Sequence, residues 1–134
     1  LATDASAAQL AQAPAVANVE WRVAHAEDSG LPAASVDLVC VAQALHWLPY
    51  AAFYAEVDRV LRPGGVLAVV CYGRMTVDAP AVERLVQQYY DETVGAYWPP
   101  ERHTLEQAYR DVPQPYPLEP TPARRTLDIV FEGK

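Results

Sequence analysis

Positive charge is scarce in this chain: ten Lys and Arg stand against seventeen Asp and Glu over 134 residues, a formal net charge of −7. Such a balance has no electrostatic footprint for a polyphosphate backbone, so a nucleic-acid partner is not expected. Long hydrophobic runs are missing too. The apolar stretches are strand-sized, far short of the ~20 residues that a membrane helix needs, and no charged-then-apolar leader opens the chain. Cysteine is limited to Cys40 and Cys71, each inside an apolar run (VDLVCVA and VLAVVCY) and without metal-ligand spacing. That placement predicts buried free thiols in a reducing compartment and no metal site. These absences together predict a soluble, cytoplasmic protein without a membrane partner.

What is present suits one domain, because 51% of the residues are hydrophobic and a chain of this length can bury a real core. No internal repeat or dividing linker interrupts residues 1–134. Good helix formers from Ala5 to Ala13, with Asp4 or Ser6 as the cap, predict a short helix. In NVEWRVA, Val19, Trp21 and Val23 alternate with Glu20, Arg22 and Ala24, which predicts a strand with one wet face near a sheet edge. VDLVCVA and Val66–Tyr72 (VLAVVCY) are apolar on both faces, the pattern of parallel strands covered on both sides. Between them Phe53, Val57, Val60 and Leu61 recur at helical spacing, with Glu56, Asp58 and Arg59 opposite. Strand, helix, strand is a βαβ unit, and residues 1–75 form the core of the prediction.

Residues 76–112 are read as a helical, substrate-side or lid region, with a longer amphipathic helix after Asp78 and Pro80 that carries Val82, Leu85, Val86, Tyr89 and Val94, and with the aromatic run YYDETVGAYWPP as a lid or substrate wall, core packing of Tyr89 and Tyr90 being the alternative. It should fail between Gly95 and Pro100. Five prolines between Pro113 and Pro122 exclude helix and central strand, so residues 113–134 are expected to be an extended connection followed by a last strand in LDIVFE.

The turn VLRPGG (Val60–Gly65) stops the helix, since Arg62 precedes proline, and Gly64 or Gly65 can take the positive φ of a type II turn. Its neighbours make it informative. Taken in order, D-x-S (Asp4–Ser6), A-E-x-x-x-L-P (Ala26–Pro32), S-V-D-L-V (Ser35–Val39), A-L-H-W (Ala44–Trp47) and F-Y-x-E-V-x-R-V-L-R-P-G-G-V-L (Phe53–Leu67) resemble the class I S-adenosylmethionine-dependent methyltransferases. The closer likeness is to the branch with trans-aconitate methyltransferase-like proteins. The resemblance covers Leu1–Tyr72 well and Thr76–Pro100 loosely. It implies an α/β fold, a Rossmann-like, doubly wound and mainly parallel sheet with flanking helices. It also implies the cofactor S-adenosyl-L-methionine and methyl transfer to a small-molecule acceptor.

In open α/β sheets ligands sit at the carboxyl ends of the strands, and that rule sorts the candidates. The resemblance places Asp4 on the ribose hydroxyls, where a carboxylate can accept two hydrogen bonds; the alternative is a helix-capping Asp. It places His25, Ala26 and Glu27 around the adenine, Ala26 through its backbone, with a solvated loop as the alternative for His25. Gln43, Ala44 and Trp47 would lie beneath the methionine part of the cofactor. His46 is a candidate general base, with a structural hydrogen bond as the competing role. Arg74, and Tyr72 beside it, are candidates for holding an ionised acceptor, although a surface arginine is the alternative.

The resemblance also has a gap. A first strand and its glycine-rich loop are absent, no G-x-G-x-x-G occurs, and Leu1 opens the chain without an initiator methionine. Truncation at both ends of a longer methyltransferase is therefore expected. A non-catalytic remnant or interaction module is the second reading, and an NAD-binding Rossmann protein is the third.

Overall fold

The computed structural model describes residues 1–120. Its centre is the unit formed by β3 (Val36–Ala42), α2 (Tyr50–Val60) and β4 (Leu61–Val70). The two strands pair in parallel from Leu38↔Val66 to Ala42↔Val70. Helix α2 lays Phe53, Tyr54, Val57 and Val60 into the core, where Val41 and Leu45 meet them. These positions recur at three- and four-residue spacing and so share one stripe of the helix. The end of α2 is capped by the chain that enters β3. The amides of Ala34 and Ser35 donate to the carbonyls of Arg59 (2.9 Å) and Val60 (2.8 Å), which supplies partners that a helix terminus lacks.

The LRPGG turn proves to be part of the strand rather than a connection before it. Leu61 already pairs with Val36, and the register then slips so that Arg62–Gly65 bulge out before the ladder resumes at Val66. Gly64 has φ +80°, as a type II turn with Pro63 at its second position requires. At Gly65 a Cβ would lie 2.9 Å from the Arg62 carbonyl oxygen, so a side chain there would collide with backbone.

Both strands were expected to be covered on two faces, and only one is. Val39, Leu67 and Cys71 turn toward the core, while Leu38, Cys40, Ala42, Val66 and Val70 turn away and are exposed. No described residue packs a second layer over them. For the same reason Cys40 is an exposed free thiol rather than a buried one, and Cys71 is half-buried.

β1 (Ala2–Asp4), α1 (Ala7–Leu10) and β2 (Trp21–Val23) form a second parallel pair, not hydrogen-bonded to the first. Both strands have three residues, shorter than the alternation suggests. Ser6 caps α1 by accepting from the Gln9 amide. Trp21 and Val23, expected inside, are exposed, while Arg22 is half-buried and bound to Glu20. α1 lies against both strands of this pair, but no residue of β1, α1 or β2 is buried. Glu56, expected on the wet face of α2, is buried instead. It accepts from the Ser29 amide (2.9 Å) and from Arg59 Nε (2.7 Å), which fastens the loop after β2 to α2.

Beyond β4, α3 (Pro80–Gln88) runs into a π-helical turn, Tyr89–Thr93, and a 3-10 turn, Gly95–Tyr97. Its cap position is Ala79 rather than Asp78. The amphipathic helix forms where expected, with its stripe of Val82, Leu85 and Tyr89 exposed. α4 (Arg102–Glu106) follows, and Leu105, Tyr109 and Val112 complete the core. The first part of the proline-rich segment forms no regular element and crosses α2. There Pro113 accepts from the Tyr54 hydroxyl at 2.9 Å, and Tyr116 donates to Asp58 at 2.9 Å. LDIVFE lies outside the described residues.

Candidate active site at the carboxyl ends of the strands

Asp4 ends β1, and its Oδ1 accepts from the Ser6 amide at 2.7 Å. This is a local turn bond that leaves the second oxygen without a partner among the described residues. Asp4 pairs with Val23, so the segment after β2 emerges beside it. In that segment His25 is exposed and lies 3.8 Å from Glu27, Ala26 packs against the core, and His25 and Asp28 bridge the turn. The structure therefore brings Asp4, His25, Ala26 and Glu27 to one end of one strand pair.

The other pair ends in Gln43, whose left-handed backbone (φ 55°) turns the chain out of β3. Its amide donates to the Val70 carbonyl at 2.8 Å, and its Oε1 accepts from the Tyr72 amide at 2.9 Å. Gln43 thus ties the ends of β3 and β4 together and extends their ladder by side chain. Ala44 starts the 3-10 turn Leu45–Trp47, with Leu45 buried and Trp47 exposed. Tyr72 itself is exposed.

His46 is buried, with Nδ1 2.8 Å from the Tyr109 hydroxyl and its ring 4.8 Å from that of Trp47. Burial above all, and then the charge of Arg102, lowers its pKa, so the imidazole is neutral near pH 7. Tyr109 reaches it from a backbone in which Ala108 (φ 51°) and Tyr109 (φ 58°) are both left-handed. Two successive non-glycine residues there store strain that the surrounding packing must offset. An open cleft of about 450 Å³ lies between His46, Trp47, Pro49, Tyr50 and Glu101.

Arg74 follows β4, but its guanidinium is engaged: it donates to Asp91 at 2.6 Å, approaches Glu106 at 3.7 Å and lies 4.0 Å over the Tyr90 ring. These hydrogen bonds and charges raise its pKa further.

A family model described as a methyltransferase domain matches residues 1–69. The chain belongs to the class I S-adenosylmethionine-dependent methyltransferases. A methyltransferase of Dictyostelium discoideum is 41% identical over 112 residues, which span 80% of this chain and 41% of that protein. A trans-aconitate 2-methyltransferase of Azoarcus is 44% identical over 68 residues, 49% of this chain and 26% of the relative. A solved structure from Anaeromyxobacter dehalogenans, described as a type II methyltransferase, superposes with a TM-score of 0.79 at 45% identity. That match covers 90% of this chain and 51% of the other. The chain thus spans about half the length, or less, of these relatives.

The donor set of this methyltransferase domain suits an adenosyl cofactor. A free carboxylate oxygen at Asp4 suits a diol, and the backbone around Ala26 suits an adenine edge. Sequence reasoning missed Tyr109 and Arg102. Tyr109 has no local signal, since its role depends on a fold contact 63 residues away. Arg102 lies two residues beyond the aromatic run Tyr89–Pro100, and its guanidinium contacts Tyr90 and Trp98 of that run.

Proposed function

We propose that the methyltransferase built on this chain transfers a methyl group from S-adenosyl-L-methionine to a small-molecule acceptor, and that the acceptor is a carboxylate. The observation that carries this reading is the convergence at the strand ends of Asp4 with Ala26 on one pair and Gln43 with a neutral, buried His46 on the other. When bound, the cofactor supplies an activated methyl on a sulfonium.

Asp4 would hold the ribose diol, and Ala26 with Glu27 or His25 the adenine. Gln43, Ala44 and Trp47 would form the floor, with the Trp47 face available to a cation. Methyl transfer is an in-line displacement, so alignment and exclusion of water can supply much of the rate. An ionised carboxylate needs no base. For a hydroxyl or amine acceptor, His46 would take the proton at Nε2, while Tyr109 holds Nδ1. The name of the Azoarcus relative supports the carboxylate class, with trans-aconitate as the first acceptor to try.

Thermal unfolding in the presence of S-adenosylmethionine, S-adenosylhomocysteine or NAD tests the reading. The midpoint is expected to rise with the two adenosyl-sulfur ligands and to stay unchanged with NAD. A rise with NAD alone would sink the methyltransferase reading for this chain. The exposed apolar face of β3 and β4 favours a second reading, a non-catalytic interaction module. No shift with any ligand on a folded chain would support that alternative.

A further inference from the structure

The region around α4 contains an arginine, Arg102, that reaches a carboxylate, that of Glu106, only through the Tyr90 hydroxyl. Arg102 and Arg22 are half-buried; Arg22 is paired with Glu20 at 2.6 Å, whereas Arg102 has no carboxylate partner among the described residues. Arg59, Arg62 and Arg74 are also paired, and Arg84 and Arg110 are exposed.

Its geometry is that of a prepared anion receptor. The guanidinium carbon lies 4.0 Å over the Trp98 ring, and Nε donates to the Tyr90 hydroxyl at 2.6 Å. That hydroxyl in turn donates to Glu106 at 2.7 Å, so the stack is fixed from both sides. One edge of the fork is occupied, while the terminal nitrogens donate to no described residue. Arg102 lines an open cleft of about 290 Å³ with Arg74, Trp98 and two carboxylates, Asp91, which Arg74 holds, and Glu106, which accepts from the Tyr90 hydroxyl. Within that cleft Arg74 is bound to Asp91, and Arg102 is the cation left to meet a ligand. A planar guanidinium held flat on an aromatic ring matches the two oxygens of a carboxylate.

We propose that Arg102, rather than Arg74, is the specificity-determining residue that anchors a carboxylate of the methyl acceptor, through its terminal nitrogens. The proposal rests on the methyl-transfer reading for the identity of its ligand.

Calorimetric titration of the full chain with trans-aconitate, its neutral trimethyl ester and inorganic phosphate tests it. The wild type should bind the acid more tightly than the ester. R102Q should weaken binding of the acid by roughly tenfold or more and leave the ester unchanged. R102K, which keeps the charge without the planar fork, should fall between them and carries the comparison should R102Q fail to fold. Equal binding of acid and ester by the wild type, or wild-type affinity for the acid in R102Q or R102K, would overturn the assignment. So would binding of phosphate without binding of the acid. Titration of the same samples with S-adenosylhomocysteine separates the two claims: its failure with wild type counts against the cofactor reading and leaves the acid-against-ester comparison intact.

Discussion

The two parallel strand pairs carry the same topology and opposite amounts of packing. Each joins its strands through an intervening helix, and each delivers candidate ligand-binding residues at its carboxyl end. Yet β3, α2 and β4 surround Phe53, Leu45 and Val57, which are almost wholly inaccessible, while neither strand of the β1–β2 pair nor α1 contains a buried residue. The difference lies in the side chains available. α2 presents an aromatic and aliphatic stripe long enough to cover a sheet face, whereas α1 has four residues, AAQL, and little apolar area to bury. Since burial of apolar surface is the main favourable contribution to folding, the first pair depends on what fastens it to the second. The Glu56 latch to Ser29 is the clearest such fastening.

Phe53→Ala should break the comparison most severely. Emptying a fully buried aromatic site costs about 3–5 kcal/mol, measured by urea unfolding, and would erase the advantage of the βαβ unit. Next is Glu56→Ala, which removes an acceptor shared by Ser29 and Arg59 and should cost roughly 1.5–3 kcal/mol, the range for hydrogen bonds to a charged group.

The same carboxylate gives a pH signature. The hydrogen bond from Arg59 first, opposed by burial and aided by the bonds from Ser29, holds the pKa of Glu56 down from 4.5 to about 2. A depressed folded-state pKa stabilises the fold above the unfolded value and ceases to do so as pH falls through the folded one. Wild type should therefore lose stability between about pH 4.5 and pH 2 relative to Glu56→Ala, and equal acid sensitivity of the two would remove the latch from the account. The smallest effects are expected where the sheet is bare. Leu38→Ser and Val70→Ser should each shift stability by about 0.5 kcal/mol or less, as substitutions at surface positions do.

Much of this contrast was legible in the residues and part of it was not. The period of the Phe53–Leu61 stripe and the apolar run of β3 predicted the central unit, because local spacing reports helix and strand faces directly. Exposure of Leu38, Cys40, Trp21 and Leu85 could not be read the same way, since an apolar side chain states what it would bury and not whether a neighbour covers it. Glu56 shows the converse. Three residues after Phe53 and four before Val60, it borders the apolar stripe of α2, and only the fold brings Ser29 to it.

At the site, Asp4, Ala26 and Gln43 lie at strand ends as the motif order implies. His46 is a candidate by its position after β3, whereas nothing local in the sequence points to its partner Tyr109. Arg74 was chosen because it follows β4 in sequence, and the structure shows its charge already committed to Asp91.

Hydrogen exchange of the full chain, with and without S-adenosylhomocysteine, tests the joint claim about packing and function most directly. Without ligand, amides of β3, α2 and β4 should exchange slowly and those of β1 and β2 rapidly, because local opening follows buried contact. With saturating ligand, protection should appear at residues 4–6, 25–28 and 43–47, drawing the weakly packed pair toward the stability of the other. Unchanged exchange at all three segments would contradict the assignment of the strand ends as the cofactor site.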